Sequence, residues 1–167
     1  EIHLERLLSI YDSAPGWHVP QFVLAHIGQI TSQSQLLKAA KQAALKEVSD
    51  NPQGESLDAR LTLGLVAIAE DDRASARELY SQLARFPESM RSLYFLTVSR
   101  VRGLLAGILE EIDQAAIHFE DAIEYSRRVG YWPELAWACT NYLELLLNRD
   151  AQGDHARAST LLDGALA

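Results

Sequence analysis

The chain has 167 residues, of which 48% are hydrophobic and 23% are charged, and its formal net charge is −8 at pH 7. These values are typical of a globular domain with its own core, and they exclude a disordered or fibrous chain. The acidic balance argues against direct nucleic-acid binding, because that affinity depends on lysine and arginine contacts with phosphate. The single cysteine, Cys139, excludes an intrachain disulfide.

The first residues do not have the pattern expected of a signal peptide. The first segment, EIHLERLLSIY, places acids where a signal peptide needs a basic start, and no run of eighteen apolar residues follows. We therefore expect a cytoplasmic protein that does not contact a membrane. The sequence begins without methionine and stops within a helical pattern, so we also expect a fragment of a longer protein.

Helical periodicity runs along the whole chain. Apolar residues recur every three or four positions in VLAHIGQI, LLKAAKQAALKEV, LTLGLVAIA, ASARELYSQLARF and LAWACTNYLELLL. Breaks fall at SAPGWHVP, SDNPQGES, FPES, GYWPE and NRDAQGD, where proline or glycine occurs among polar residues. The pattern predicts an all-α fold of about nine helices, the first of them at about 2–13.

One spacing recurs along the chain. Three glycines each stand twelve residues before an alanine, at offsets of 36 and then 39 residues: Gly28 and Ala40, Gly64 and Ala76, Gly103 and Ala115. A fourth copy, at an offset of 43, places Ala158, Leu162 and Ala165 where Ala115, Phe119 and Ala122 stand. Small residues are needed where two helices cross closely. We therefore predict one domain over 1–167 with helix pairs at about 20–54, 55–92, 93–133 and 134–167.

This pattern resembles the tetratricopeptide repeat, which places a glycine on its first helix and alanine, an aromatic residue and alanine on its second. Pro52, Pro87 and Pro133 fall near the family's proline position. The resemblance covers roughly 20–167 and implies a right-handed superhelix of antiparallel helix pairs. The stretch from Gly130 to the end also looks like the helical-repeat regions of large bacterial signalling ATPases. Such regions accompany a LuxR-type DNA-binding domain or a nucleotide cyclase domain.

Catalytic and metal-binding patterns are sparse. Cys139 has no basic neighbour within a helical turn, which favours a core residue over a nucleophile. His118 and Asp121 are three residues apart without a second histidine nearby, which favours a solvated helix face over a metal site. No phosphate-loop motif occurs in the sequence. We therefore expect no enzymatic activity, no cofactor and no metal.

The repeat pattern predicts an interaction scaffold within a bacterial signalling or transcription regulator. The first helix of each pair is expected to line a concave surface that binds a protein, a peptide or another domain of the parent chain. By analogy with tetratricopeptide geometry, the groove contacts are His26, Gln29, Asp58, Thr62, Thr97, Arg100, Thr140 and Glu144. The family's carboxylate-clamp positions hold Ala25, Gln29, Leu61 and Leu65, which argues against an adaptor for chaperone tails.

The alternative function is a small-molecule effector sensor within the same kind of regulator. Aromatic side chains could then stack on a ligand such as a sugar. The candidates are Trp17, Tyr94, Tyr131, Trp132 and Trp137.

The last predicted helix, at about 154–166, has two apolar faces. Leu162 continues the repeat and is expected to pack inward, leaving Leu161 and Leu166 towards a following helix. Removing such apolar area from water is favourable, so we expect weak self-association through the C-terminal helix. Added salt should strengthen it by screening the net negative charge.

Overall fold

A computed structural model of the chain describes residues 21–50, 56–87 and 96–166. Within these ranges the chain forms eight helices and no β-strand. They are α1 (Gln21–Thr31), α2 (Ser34–Asp50), α3 (Leu57–Ala69), α4 (Arg73–Leu83), α5 (Val98–Ile108), α6 (Ile112–Val129), α7 (Trp132–Arg149) and α8 (Asp154–Leu166). The all-α prediction is confirmed. The first predicted helix, at about 2–13, lies outside the described residues.

The chain divides into two compact units, Glu1–Asp72 and Arg73–Ala167. Helices α1 to α3 belong to the first unit, and α4 to α8 belong to the second. The boundary lies between the two helices of the pair predicted at 55–92. The predicted pair boundaries themselves remain a prediction.

In the first unit α1 packs against both α2 and α3, and α2 packs against α3. Gly28 marks a close approach of α1 to α2, because a Cβ at this position would lie 3.0–3.1 Å from side-chain and backbone atoms of Leu37. The Ser56 hydroxyl accepts a hydrogen bond from the Ala59 N–H and so caps the start of α3. Around these contacts the buried apolar side chains include Leu24, Ala25, Leu36, Ala40, Ala44, Leu61 and Leu65.

In the second unit each of the helices α4 to α8 packs against the next one along the chain, and α5 also contacts α7. Phe119 on α6 lies at the centre of the core: it faces Gly103 on α5 and stacks on Tyr142 of α7, with ring centroids 5.8 Å apart. Gly103 is therefore a packing glycine at a helix crossing, as the repeat predicted. The core cluster contains Ala106, Ala115, Phe119, Ala122, Ile123, Leu135, Ala138, Cys139, Tyr142, Leu146, Ala158 and Leu161.

The same turn closes three helices. Ser32, Asp71 and Glu110 all have positive φ, at 54°, 51° and 63°. The residue that follows each of them donates its backbone N–H to a carbonyl oxygen in the last turns of the preceding helix, at 2.9 Å in each case. The bonds run from Gln33 to Gly28, from Asp72 to Ala67 and from Glu111 to Ala106. This is the left-handed cap that ends many helices. The turn recurs every 39 residues, as do the starts of α2, α4 and α6.

This recurrence corrects the register of the first pair. The turns align Gly28 with Ala67 and Ala106, so Gly28 is not equivalent to Gly64 and Gly103. The offset of 36 residues is therefore wrong by three residues, whereas the offset of 39 between the later glycines is confirmed. The glycine spacing was misleading because small residues fill both positions. Ala25, which is buried, occupies the place of Gly64 and Gly103 in the first pair.

The prediction that Leu162 packs inward and Leu161 faces outward on the last helix is also wrong. Leu161 is 6% exposed, whereas Leu162 is 49% exposed. Asp154, Ala158 and Leu161 are all buried, and their spacing forms the inward stripe of α8. Leu162 lies one residue, or about 100°, further round the helix. The side chain of Leu166 lies outside the described part of the structure.

None of the helices that the structure describes is both long enough and apolar enough to cross a lipid bilayer.

Candidate functional site

A buried ion pair joins α5 to α7. Arg100 is 1% exposed, and its Nε lies 3.0 Å from Oε1 of Glu134, which is also buried. Burying two charges is costly, so such a pair persists only when further hydrogen bonds satisfy the remaining polar atoms. Arg100 and Glu134 therefore require further hydrogen-bond partners around them.

Thr97 completes the buried pair. Its backbone N–H and its hydroxyl both donate to Glu134 Oε1, at 2.9 and 2.8 Å. The Thr97 Oγ1 also accepts a hydrogen bond from the Arg100 N–H and caps the start of α5. The carboxylate thus lies at the N-terminus of α5 while belonging to the first turn of α7, where helix dipoles favour negative charge. These contacts hold the two helix starts in one register.

The guanidinium of Arg100 also reaches two residues nearer the surface of α7. Its Nη1 donates to Oδ1 of Asn141 at 3.2 Å, and its Cζ lies 5.9 Å from the ring centroid of Trp137. Trp137 is 38% exposed. A cation over a tryptophan ring is attracted by the ring's quadrupole, so the buried arginine supports a partly exposed indole from below.

The side of α7 above this cluster forms one continuous surface. Trp137, Thr140, Asn141 and Glu144 are spaced so that they share one side of the helix, and all four are exposed or half-buried. We call these four residues the Trp137 face. The Thr140 hydroxyl donates to the Ala136 carbonyl at 2.9 Å, while the Glu144 carboxylate is exposed. The face therefore combines an aromatic anchor with polar groups of fixed spacing.

The predicted groove residues are distributed between the two units. Thr97 and Arg100 meet in the buried cluster, and Thr140 and Glu144 lie exposed on the Trp137 face. The remaining four belong to the first unit. Thr62 is buried there, and His26, Gln29 and Asp58 are half-buried. Thr140 and Glu144 are thus accessible at the surface, whereas Thr97 and Arg100 lie beneath it.

Sequence reasoning missed Glu134 and Asn141 and considered Trp137 only as a sensor aromatic. The sequence carries no signal for these two residues, because Arg100 and Glu134 lie on different helices and charged or amide side chains are ordinarily solvated. Of the other aromatics predicted for a sensor, Trp132 is exposed and Tyr131 is half-buried. Trp17 and Tyr94 lie outside the described residues.

A second polar contact joins α4 to α6. The Tyr80 hydroxyl lies 2.9 Å from His118 Nε2, with the rings edge to face, and Arg102 Cζ lies 4.6 Å from the Tyr80 ring centroid. His118 is 5% exposed, so the expected solvated face is wrong for this residue, although Asp121 is exposed. Burial, helped by the charge of Arg102, lowers the pKa of His118 to about 4. The imidazole is therefore neutral at pH 7.

Cys139 is buried in the core of the second unit, as predicted. Burial raises the pKa of its thiol, which keeps the sulfur protonated and unreactive at neutral pH. Across 21–50, 56–87 and 96–166 no three His, Cys, Asp or Glu side chains are grouped so that they could hold a metal ion.

The Trp137 face and the cluster beneath it are thus the arrangement in the described residues best suited to recognising another molecule. Its groups can pack against, accept hydrogen bonds from and donate hydrogen bonds to another molecule. Comparison of the chain with family models, with curated proteins and with solved structures found no match.

Proposed function

We propose that this chain is a tetratricopeptide-like scaffold of a larger bacterial signalling or transcription regulator, and that it binds a polypeptide partner through the Trp137 face. The observation that carries the proposal is the support of a partly exposed Trp137 by the buried Arg100. Tryptophan is among the residues that dominate binding energy at protein interfaces. Because Arg100 is held by Glu134, the indole loses little freedom on binding.

The repeat architecture supports the same proposal. The turn at Ser32, Asp71 and Glu110 recurs every 39 residues, and a helical turn that recurs at a fixed interval is typical of a tetratricopeptide-like repeat. In such a superhelix the first helix of each pair faces the concave side, and α5 and α7 are first helices in the predicted pairs. Thr140 and Glu144, predicted as groove contacts, share the exposed side of α7 with Trp137.

Peptide selection tests the proposal. A random dodecapeptide library displayed on phage is selected against the immobilised chain, and each enriched peptide is synthesised with a fluorescein label. Fluorescence anisotropy then gives its Kd for the parent chain, for Trp137→Ala and for Trp132→Ala. Trp132 is the matched control, because it is an exposed tryptophan at the first position of the same helix and outside the Trp137 face.

We expect Trp137→Ala to weaken binding by about tenfold or more, with Trp132→Ala close to the parent. The proposal fails if no peptide is enriched, or if the enriched peptides bind both variants equally. A small metabolite that raises the melting temperature of the parent chain, in the absence of any enriched peptide, would favour the effector sensor instead.

A further inference from the structure

The Asn141 side chain is held in one orientation by its buried neighbour. A guanidinium can donate hydrogen bonds but cannot accept them, so the amide oxygen of Asn141 must face Arg100. The distance of 3.2 Å from Arg100 Nη1 to Asn141 Oδ1 agrees with this assignment. The oxygen and nitrogen of an amide diverge from the same carbon, so the amide nitrogen points in a different direction from the bond to Arg100.

Two more residues of α7 flank Asn141 along the Trp137 face. Asn141 is half-buried and lies one helical turn beyond Trp137, and the exposed Glu144 follows three residues later. In the described part of the chain the bond to Arg100 is the only hydrogen bond of the Asn141 side chain. A fixed donor thus lies between an aromatic anchor and a carboxylate acceptor on one side of one helix.

We infer that Asn141 is the specificity-determining donor of the Trp137 face, and that the face takes an extended polypeptide segment of neutral or basic character. This inference rests on the proposed function. Asn141 Nδ2 donates to a backbone carbonyl of the segment, and an apolar or aromatic side chain of the same segment packs on Trp137. Glu144 accepts a hydrogen bond from a backbone N–H or from a cationic side chain.

An extended segment fits these groups better than a helical one. The backbone N–H and C=O groups of a helix are satisfied internally, whereas those of an extended chain are open to side-chain donors and acceptors. The preferred charge follows from Glu144 and from the net charge of −8, both of which favour a cationic partner and disfavour an acidic one.

Asn141→Asp tests the role of the donor with little change in shape. The aspartate still accepts from Arg100, now as a charged partner, but it has no N–H to offer at pH 7. Asn148→Asp is the matched control, because it makes the same charge change at an exposed position two turns further along α7. The probe is a fluorescein-labelled dodecapeptide enriched on the parent chain and sensitive to Trp137→Ala, together with a copy in which its Lys and Arg are replaced by Glu.

We expect Asn141→Asp to weaken binding of the probe by about tenfold. The melting temperature of the variant chain should stay at or above that of the parent chain. Asn148→Asp should bind the probe like the parent, and the charge-reversed peptide should bind the parent more weakly than the probe does. The inference is overturned if Asn141→Asp binds like the parent, or if both aspartate variants weaken binding equally. It is also overturned if the charge-reversed peptide binds as tightly as the probe. Each of these results leaves the proposed function intact, because that function fails only when no enriched peptide depends on Trp137.

Discussion

Gly103 on α5 faces the ring of Phe119 on α6 so closely that a methyl group does not fit between them. A Cβ built on Gly103 would lie 2.9 Å from two ring carbons of Phe119, and Phe119 is itself stacked on Tyr142 and cannot retreat freely. We predict that Gly103→Leu destabilises the chain by about 1–3 kcal/mol, because it overpacks this crossing. Urea denaturation measures the change.

Gly107 provides the control on the same helix. A Cβ there would lie 3.7 Å from Leu145, which is an ordinary contact. Gly107→Ala should therefore leave stability unchanged or raise it by up to about 1 kcal/mol, through higher helix propensity. Equal destabilisation by the two substitutions would contradict the assignment of Gly103 as the packing glycine.

The burial of His118 predicts a loss of stability in mild acid. Its pKa is lowered from 6.5 to about 4 in the folded chain, so the unfolded chain binds more protons between these two values. The free energy of unfolding should therefore fall as the pH drops from about 6.5 to about 4. Below about pH 4 His118 is protonated in both states and contributes no further change. The loss amounts to about 3 kcal/mol over the window.

Parallel urea titrations of the parent and of His118→Asn across this range check the prediction. Arg102 opposes protonation of the imidazole and Asp121 favours it, so the shift depends on both neighbours as well as on burial. The variant should show a flatter pH dependence than the parent, because carboxylate titrations are common to both chains. Identical slopes would show that His118 is not buried as a neutral imidazole.

The Arg100–Glu134 pair should be strongly sensitive to the loss of either partner. Glu134→Ala leaves the guanidinium buried without its carboxylate, and we predict a destabilisation of about 3–5 kcal/mol. The double variant with Arg100→Met and Glu134→Gln removes both charges. It should lose clearly less unfolding free energy than the sum of the losses caused by Arg100→Met alone and Glu134→Gln alone. A double-mutant cycle in urea measures this difference, and strictly additive effects would contradict a coupled pair.

The exposed side of α8 provides a prediction about association. Because Leu162 is exposed and Leu161 is buried, Leu162→Glu should abolish weak self-association without loss of stability. Leu161→Glu should instead destabilise the chain, because it buries a charge among apolar side chains. Sedimentation velocity over a series of protein and salt concentrations measures association. A parent chain that stays monomeric throughout, or a dimer that persists in Leu162→Glu, would exclude this surface as the interface.

Local patterns in the sequence were sufficient for the secondary structure and for part of the packing. Periodic apolar residues predicted the helices, the surroundings of Cys139 predicted a core thiol, and the spacing of Gly103 from Ala115 predicted a close helix crossing. These features depend on residues within one helix or on two adjacent helices. The physical signal is short-range: an apolar stripe must be buried, and a small residue permits close approach.

Features that join more distant segments were decided only by the tertiary structure. Burial of His118 depends on Tyr80 and Arg102, and the choice of Leu161 over Leu162 depends on the rotation of α8 against α7. A periodic pattern gives an apolar stripe but not its rotation to within one residue, and alanine can replace glycine at a crossing. The Arg100–Glu134 pair lies beyond sequence reasoning for a related reason. Charged residues are ordinarily solvated, and only the packing of α5 on α7 removes water from these two and makes their attraction strong.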